Sequence, residues 1–175
     1  MRTFVSIDTP YNDAMETVFK LLENQSWCRP VDRKTMHMTL HFYGELNQDA
    51  VEELKKKLDS FEFETFDYRI RGIGFFPNDT YIKVIWFGLE SEMIGSFYNK
   101  LKKTLDFKET LPFVPHVTVA RVSYRVDPNV KAELTKLKET VFGQGRCTSV
   151  KLMKSELLPT GPVYTELYEK KLKDV

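Results

Sequence analysis

The pattern His-apolar-Thr-apolar occurs twice in this chain, as His37-Met38-Thr39-Leu40 and His116-Val117-Thr118-Val119. The chain holds only 3 histidines, so two of them share one short context. Each copy alternates polar with apolar residues, which is the two-residue period of a β-strand. On a strand, His37 and Thr39 point to one face and Met38 and Leu40 to the other. His116 and Thr118 are related in the same way to Val117 and Val119. Each copy therefore offers an imidazole beside a hydroxyl, backed by a face that can bury. Two facing imidazoles are what metal-free phosphodiester hydrolysis requires, one to take a proton and one to give one.

The surrounding sequence predicts a mixed α+β order. Strands are expected at Thr3–Ile7, Met36–Tyr43, Tyr81–Leu89, His116–Ser123, Cys147–Leu158 and Tyr164–Leu172. Alternation also runs from Phe61 to Ile73, and Gly72, Gly74, Pro77 and Asn78 suggest a turn after it. Helical spacing runs from Asn12 to Leu22, with Asp13 near its start, and recurs after Asn47 or Asp49, Ser91 and Asp127, which can cap a helix. The last of these helices is expected to carry Val130, Leu134, Leu137 and Val141 and to close at Gly143 and Gly145. Trp27–Thr35 reads as irregular. The two motifs are offset by 116 − 37 = 79 residues, near half of the 175-residue chain, with a similar order of elements after each. Two lobes related by a pseudo-two-fold would put one His-Thr pair on each wall of a central groove.

Composition narrows the class. Lys+Arg at 26 nearly balance Asp+Glu at 25, so any polyanion must bind through a local patch. The start of the chain lacks a signal-peptide pattern, and no apolar run approaches the roughly 20 residues of a membrane helix. A cytoplasmic protein without membrane attachment is expected, monomeric by default. Cys28 and Cys147 form no CxxC arrangement and read as reduced structural thiols. The runs Lys55–Lys57 and Lys100–Lys103 read as solvated helix faces.

Phosphodiester chemistry suits the motif residues. Near an ordinary pKa of about 6.5, imidazole is available in both protonation states. Thr39 and Thr118 can donate hydrogen bonds to non-bridging oxygens, and Arg121 can grip a phosphate through two parallel bonds. Strict alternation puts Arg121 on the face opposite His116, so a bulge or the end of the strand must re-aim it. Phe42 stands at the matching position of the first copy. His41 and Tyr43 would share the His37 face, with Tyr43 able to stack on a base. A metal reading through His37, His41 and His116 lacks a completing carboxylate or Cys. Lys154 and Tyr164 are further candidates to line the groove.

The paired motifs resemble those of the 2H phosphoesterase superfamily. His37-Met-Thr-Leu-His-Phe-Tyr-Gly44, Gly72-Ile-Gly-Phe-Phe-Pro-Asn78, Pro115-His-Val-Thr-Val-Ala-Arg121 and Leu152-Met-Lys-Ser-Glu-Leu157 with Gly161-Pro162-Val163-Tyr164 occur in the order of its RNA 2′,3′-cyclic phosphodiesterases, formerly described as 2′-5′ RNA ligases. The resemblance covers almost the whole chain. It implies a bilobal α+β fold in one catalytic domain, residues 1–175, with two antiparallel sheet lobes and outer helices around a central cleft. It implies no metal and no cofactor. It also implies an RNA partner ending in a 2′,3′-cyclic phosphate, tRNA fragments included, hydrolysed to a 2′-phosphomonoester. By the same resemblance His37 is the proton donor, His116 the proton acceptor, and reverse 2′-5′ joining uses the same groups. The residues alone yield the pair but not which member does which. Two alternatives share the fold, a nucleotide- or RNA-binding module and a phosphodiesterase acting on a small cyclic nucleotide.

Overall fold

Alternation and the Asn47 and Asp127 caps convert directly into elements in the computed structural model, which describes residues 1–174. The helix expected to be capped by Ser91 starts past it, with Met93 as a cap that makes no side-chain bond. In chain order they are β1 (Arg2–Asp8), α1 (Glu16–Leu22), β2 (Cys28–Pro30), β3 (His37–Glu45), α2 (Gln48–Asp59), β4 (Phe66–Pro77) and β5 (Ile82–Glu90). The chain continues with α3 (Ile94–Leu105), β6 (His116–Val122), α4 (Pro128–Lys136), β7 (Val141–Cys147), β8 (Ser149–Leu158) and β9 (Gly161–Lys171). Asn47 caps α2 through Ala50 N at 2.8 Å, and Asp127 caps α4 through Asn129 N at 2.8 Å. Each such cap contributes about 1 kcal/mol.

The strands form two antiparallel sheets, ordered β3-β1-β8-β9 and β2-β6-β5-β4-β7. Each motif strand thus lies in its own sheet, and β3 lies against β6. The halves exchange strands. β4, from the first half, pairs with β5 in the second motif's sheet, while β8, from the second half, pairs with β1 in the first. Met38, Val117, Val119, Phe87 and Ile70 join one continuous buried core. Burial of each such side chain stabilises the fold by about 1.5–3 kcal/mol. Among the described residues no helix is long and apolar enough to cross a membrane.

Three expectations are corrected. The Gly72–Asn78 stretch is largely strand, because β4 runs on to Pro77 and the reversal begins at Asn78, whose Oδ1 accepts from Thr80 N and Tyr81 N. Gly72 serves a bulge at φ +84°, and Gly74 lies beneath the Trp86 ring, where a Cβ would come within 2.1 Å. The α4 helix stops at Lys136, and Val141, Gly143 and Gly145 belong to strand β7. Gly145 is needed there by the crossing Tyr68 ring, at 2.5 Å from a Cβ. Finally, Trp27–Thr35 is not wholly irregular, since Cys28–Pro30 forms an edge strand on β6.

Candidate active site

The two histidines are held alike. His37 Nδ1 lies 2.7 Å from the Thr35 carbonyl, and His116 Nδ1 lies 2.7 Å from the Val114 carbonyl. A carbonyl only accepts, so each Nδ1 carries the proton and each Nε2 is left free to take or give another. The first carbonyl is presented by a tight turn. Asp32 Oδ1 accepts from Lys34 N at 2.9 Å, and Arg33 is anchored on Glu16 at 2.7 Å. The second lies in the stretch between Pro112 and Pro115, and Leu89 N ties it down on the Pro115 carbonyl at 3.2 Å.

The strand registers repeat between the sheets. Ser6 pairs with Thr39 and Val5 with His41, so Leu40 is an extra residue on β3. Trp86 pairs with Thr118 and Ile85 with Ala120, so Val119 is an extra residue on β6. Each bulge reverses the facing of the residues beyond it on the strand. Val119 and Ala120 are both buried, and Arg121 returns to the His116–Thr118 face. The same kind of bulge removes His41 from the cleft. It stacks on Phe107 at 4.1 Å, with Tyr43 packed edge-on at 4.7 Å, which corrects the expectation that both share the face of His37. Phe42 takes their place, stacked on Phe4 at 5.2 Å and 48% exposed. It is the structural counterpart of Arg121, since Phe4 pairs with Phe42 as Val84 pairs with Arg121.

Aromatic side chains wall both imidazoles. Phe4 and Tyr164 lie 5.3 and 5.1 Å from His37, and Phe76 and Trp86 lie 4.9 and 5.8 Å from His116. This desolvation pushes the pKa of both histidines below the ordinary imidazole value. The Arg121 charge adds to the downward push on both, so its guanidinium lies within electrostatic reach of each ring. The Thr39 and Thr118 side chains are half-buried and have no hydrogen-bond partner among the described residues. Tyr164 lines the recess beside His37 together with Ser6 and Asp8, whereas Lys154 pairs with Glu156 at 2.8 Å.

One difference separates the twins. Asp8 is the cross-strand partner of His37 and raises its pKa, partly offsetting burial. Gly88 is the partner of His116, and any Cβ there would meet the Arg71 carbonyl at 2.5 Å. A side chain at the cross-strand position of His116 is thus sterically excluded. Asp8 contacts Lys151 at 2.7 Å, but Lys151 also serves Glu166 at 3.0 Å and Glu169 at 3.7 Å, so the cluster stays net negative. The other charged and titratable groups around His37 are Arg121, Lys34 and Tyr164.

Among the described residues no three His, Cys, Asp or Glu side chains converge as metal ligands. Cys28 and Cys147 are free, and burial pushes their thiols up to about 11 and about 12. A larger surface recess, lined by Asp67, Arg69, Glu90 and Glu92, includes neither motif histidine, and its arginine is ion-paired to Glu90. The Lys55 and Lys102 ammonium groups pair with Glu52 and Glu109 at 3.1 and 3.4 Å.

Comparison with known proteins matches residues 5–86 and 90–164 to the family described as LigT like Phosphoesterase. An Archaeoglobus fulgidus protein named RNA 2′,3′-cyclic phosphodiesterase is 32% identical over 174 residues, covering 95% of this chain and 98% of its own. A Methanocaldococcus jannaschii protein of the same name is 31% identical, covering 97% and 99%. The crystal structure of TT0787 from Thermus thermophilus superposes with a TM-score of 0.75 at 26% identity, covering 99% of each chain. E. coli LigT, crystallised with 3′-AMP, has the same fold at a TM-score of 0.75 and 21% identity, covering 98% of this chain and 97% of its own.

Proposed function

The chain belongs to the LigT like phosphoesterase family, and we propose that it hydrolyses RNA 2′,3′-cyclic phosphate ends to 2′-phosphomonoesters by paired-histidine acid–base catalysis. The observation that carries this reading is the matched pair of histidines, each with Nδ1 held by a carbonyl two residues back and both within reach of Arg121. Water attacks phosphorus as His116 Nε2 takes its proton. The P–O3′ bond breaks, and His37 Nε2 delivers a proton to the departing O3′. Arg121, Thr39 and Thr118 stabilise the charge that builds on the non-bridging oxygens. Phe42 offers an exposed ring on which the terminal base can stack.

The placement of Asp8 supports these roles. Its charge favours the protonated form of His37, and His116 has no equivalent neighbour. In a profile of kcat/KM against pH, the acid limb then belongs mainly to protonation of His116 and the alkaline limb to loss of the proton from His37. Both limbs should be centred below the ordinary value of 6.5, as burial dictates. Asp8→Asn should bring the alkaline limb down, because the carboxylate that favours the protonated ring is then gone. The acid limb should stay in place. Movement of the acid limb instead would reverse the two roles.

The reading is tested by product analysis on a short RNA ending in a 2′,3′-cyclic phosphate, with a chelator present. A 2′-phosphate product supports it. A 3′-phosphate product would mean that O2′ leaves instead of O3′, and an unopened ring would favour the binding-module alternative.

A further inference from the structure

The edge strand β2 brings a second arginine to the cleft. Arg29 is the cross-strand partner of Arg121, so the two side chains project from the same face as close neighbours. Like charges directly opposite one another destabilise a sheet. Here neither is neutralised, because Arg29 and Arg121 make no salt bridge among the described residues. Arg33, Arg69, Arg71 and Arg146 are each tied to a carboxylate, and the other arginines without a salt bridge among the described residues, Arg2 and Arg125, lie outside β2 and β6. Arg29 also reaches the opposite sheet. Its Nη1 lies 3.9 Å from where a Cβ on Gly161 would stand, at the start of β9, which leads to Tyr164 beside His37. Arg121 shares β6 with His116, whereas Arg29 stands on the edge strand outside β6, one strand farther from that histidine's strand.

Resting on the function proposed above, we propose that Arg29 binds a second phosphate, the internucleotide phosphodiester on the 5′ oxygen of the terminal nucleoside, while Arg121 holds the terminal phosphate. Two unneutralised guanidiniums side by side suit two phosphates of one strand. A cyclic mononucleotide uses only the first. The preferred substrate is therefore an RNA strand end, and Arg29 is the residue that distinguishes it from a small cyclic nucleotide.

Binding of reaction products tests this without relying on turnover. Calorimetry would compare adenosine 2′-monophosphate, the dinucleotide ApA bearing a terminal 2′-phosphate, and the same dinucleotide with a neutral methylphosphonate linkage. Wild type should bind the charged dinucleotide about tenfold more tightly than the methylphosphonate, the order of one charge-assisted contact. That ratio should fall to about one in Arg29→Ala and survive in part in Arg29→Lys. The advantage should shrink as salt is raised. Equal losses for the mononucleotide and both dinucleotides would overturn the proposal, as would a charged-to-neutral ratio unchanged by the substitution. Ring opening measured separately reports on the proposed function, so the two failures are distinguishable.

Discussion

Replacing His37 or His116 by alanine is expected to lower kcat on a 2′,3′-cyclic phosphate by about 10²–10⁴-fold. The double variant should lose little more than the worse single one, because acid and base act on one transition state. The pH profiles separate the roles. His37→Ala should lose the alkaline limb, since no donor remains to be deprotonated. His116→Ala should lose the acid limb. Both imidazoles sit among aromatic rings, so each variant needs a melting curve beside its rate. A folded variant that keeps more than about a tenth of wild-type kcat would remove that histidine from the chemistry.

The second large effect belongs to Arg121. Arg121→Ala should cost about 10²–10³-fold in kcat, comparable to removing one donor from an oxyanion site. Arg121→Lys should recover only part, since an ammonium cannot form the paired parallel bonds of a guanidinium. An independent readout accompanies the rate. The Arg121 charge opposes protonation of both histidines, so its removal should move both limbs of the pH profile upward. A rate loss with stationary limbs would mean that the guanidinium acts from outside the histidine pair.

Much of this site is legible in the linear chain because its determinants are local. A strand's period of two sets which neighbours share a face, so His37 with Thr39 and His116 with Thr118 follow from spacing alone. Helix starts are equally local, because Asn47 and Asp127 cap the helices that they precede. Facing becomes illegible beyond a bulge. Strict alternation excludes Arg121 and admits His41, and single extra residues at Val119 and Leu40 invert both outcomes. Glycines mislead for a related reason. Gly74 and Gly145 are required by rings crossing from neighbouring strands, a demand that local sequence presents as a turn or a helix stop. Arg29 carries no usable signal, because a three-residue strand is too short to show a period.

The sequence by itself determined the two His-Thr pairs and their facing, the α+β class and the family resemblance. Tertiary structure alone decided which further side chains stand beside those pairs. Exchange of β4 and β8 between the halves builds each wall of the cleft from both halves of the chain. Cross-strand pairing sets Asp8 beside one histidine and a glycine beside the other, and it sets Arg29 beside Arg121. The physical reason is range. A repeat of two residues is written in neighbouring positions, whereas the register between strands depends on bulges and pairings among residues far apart in the chain.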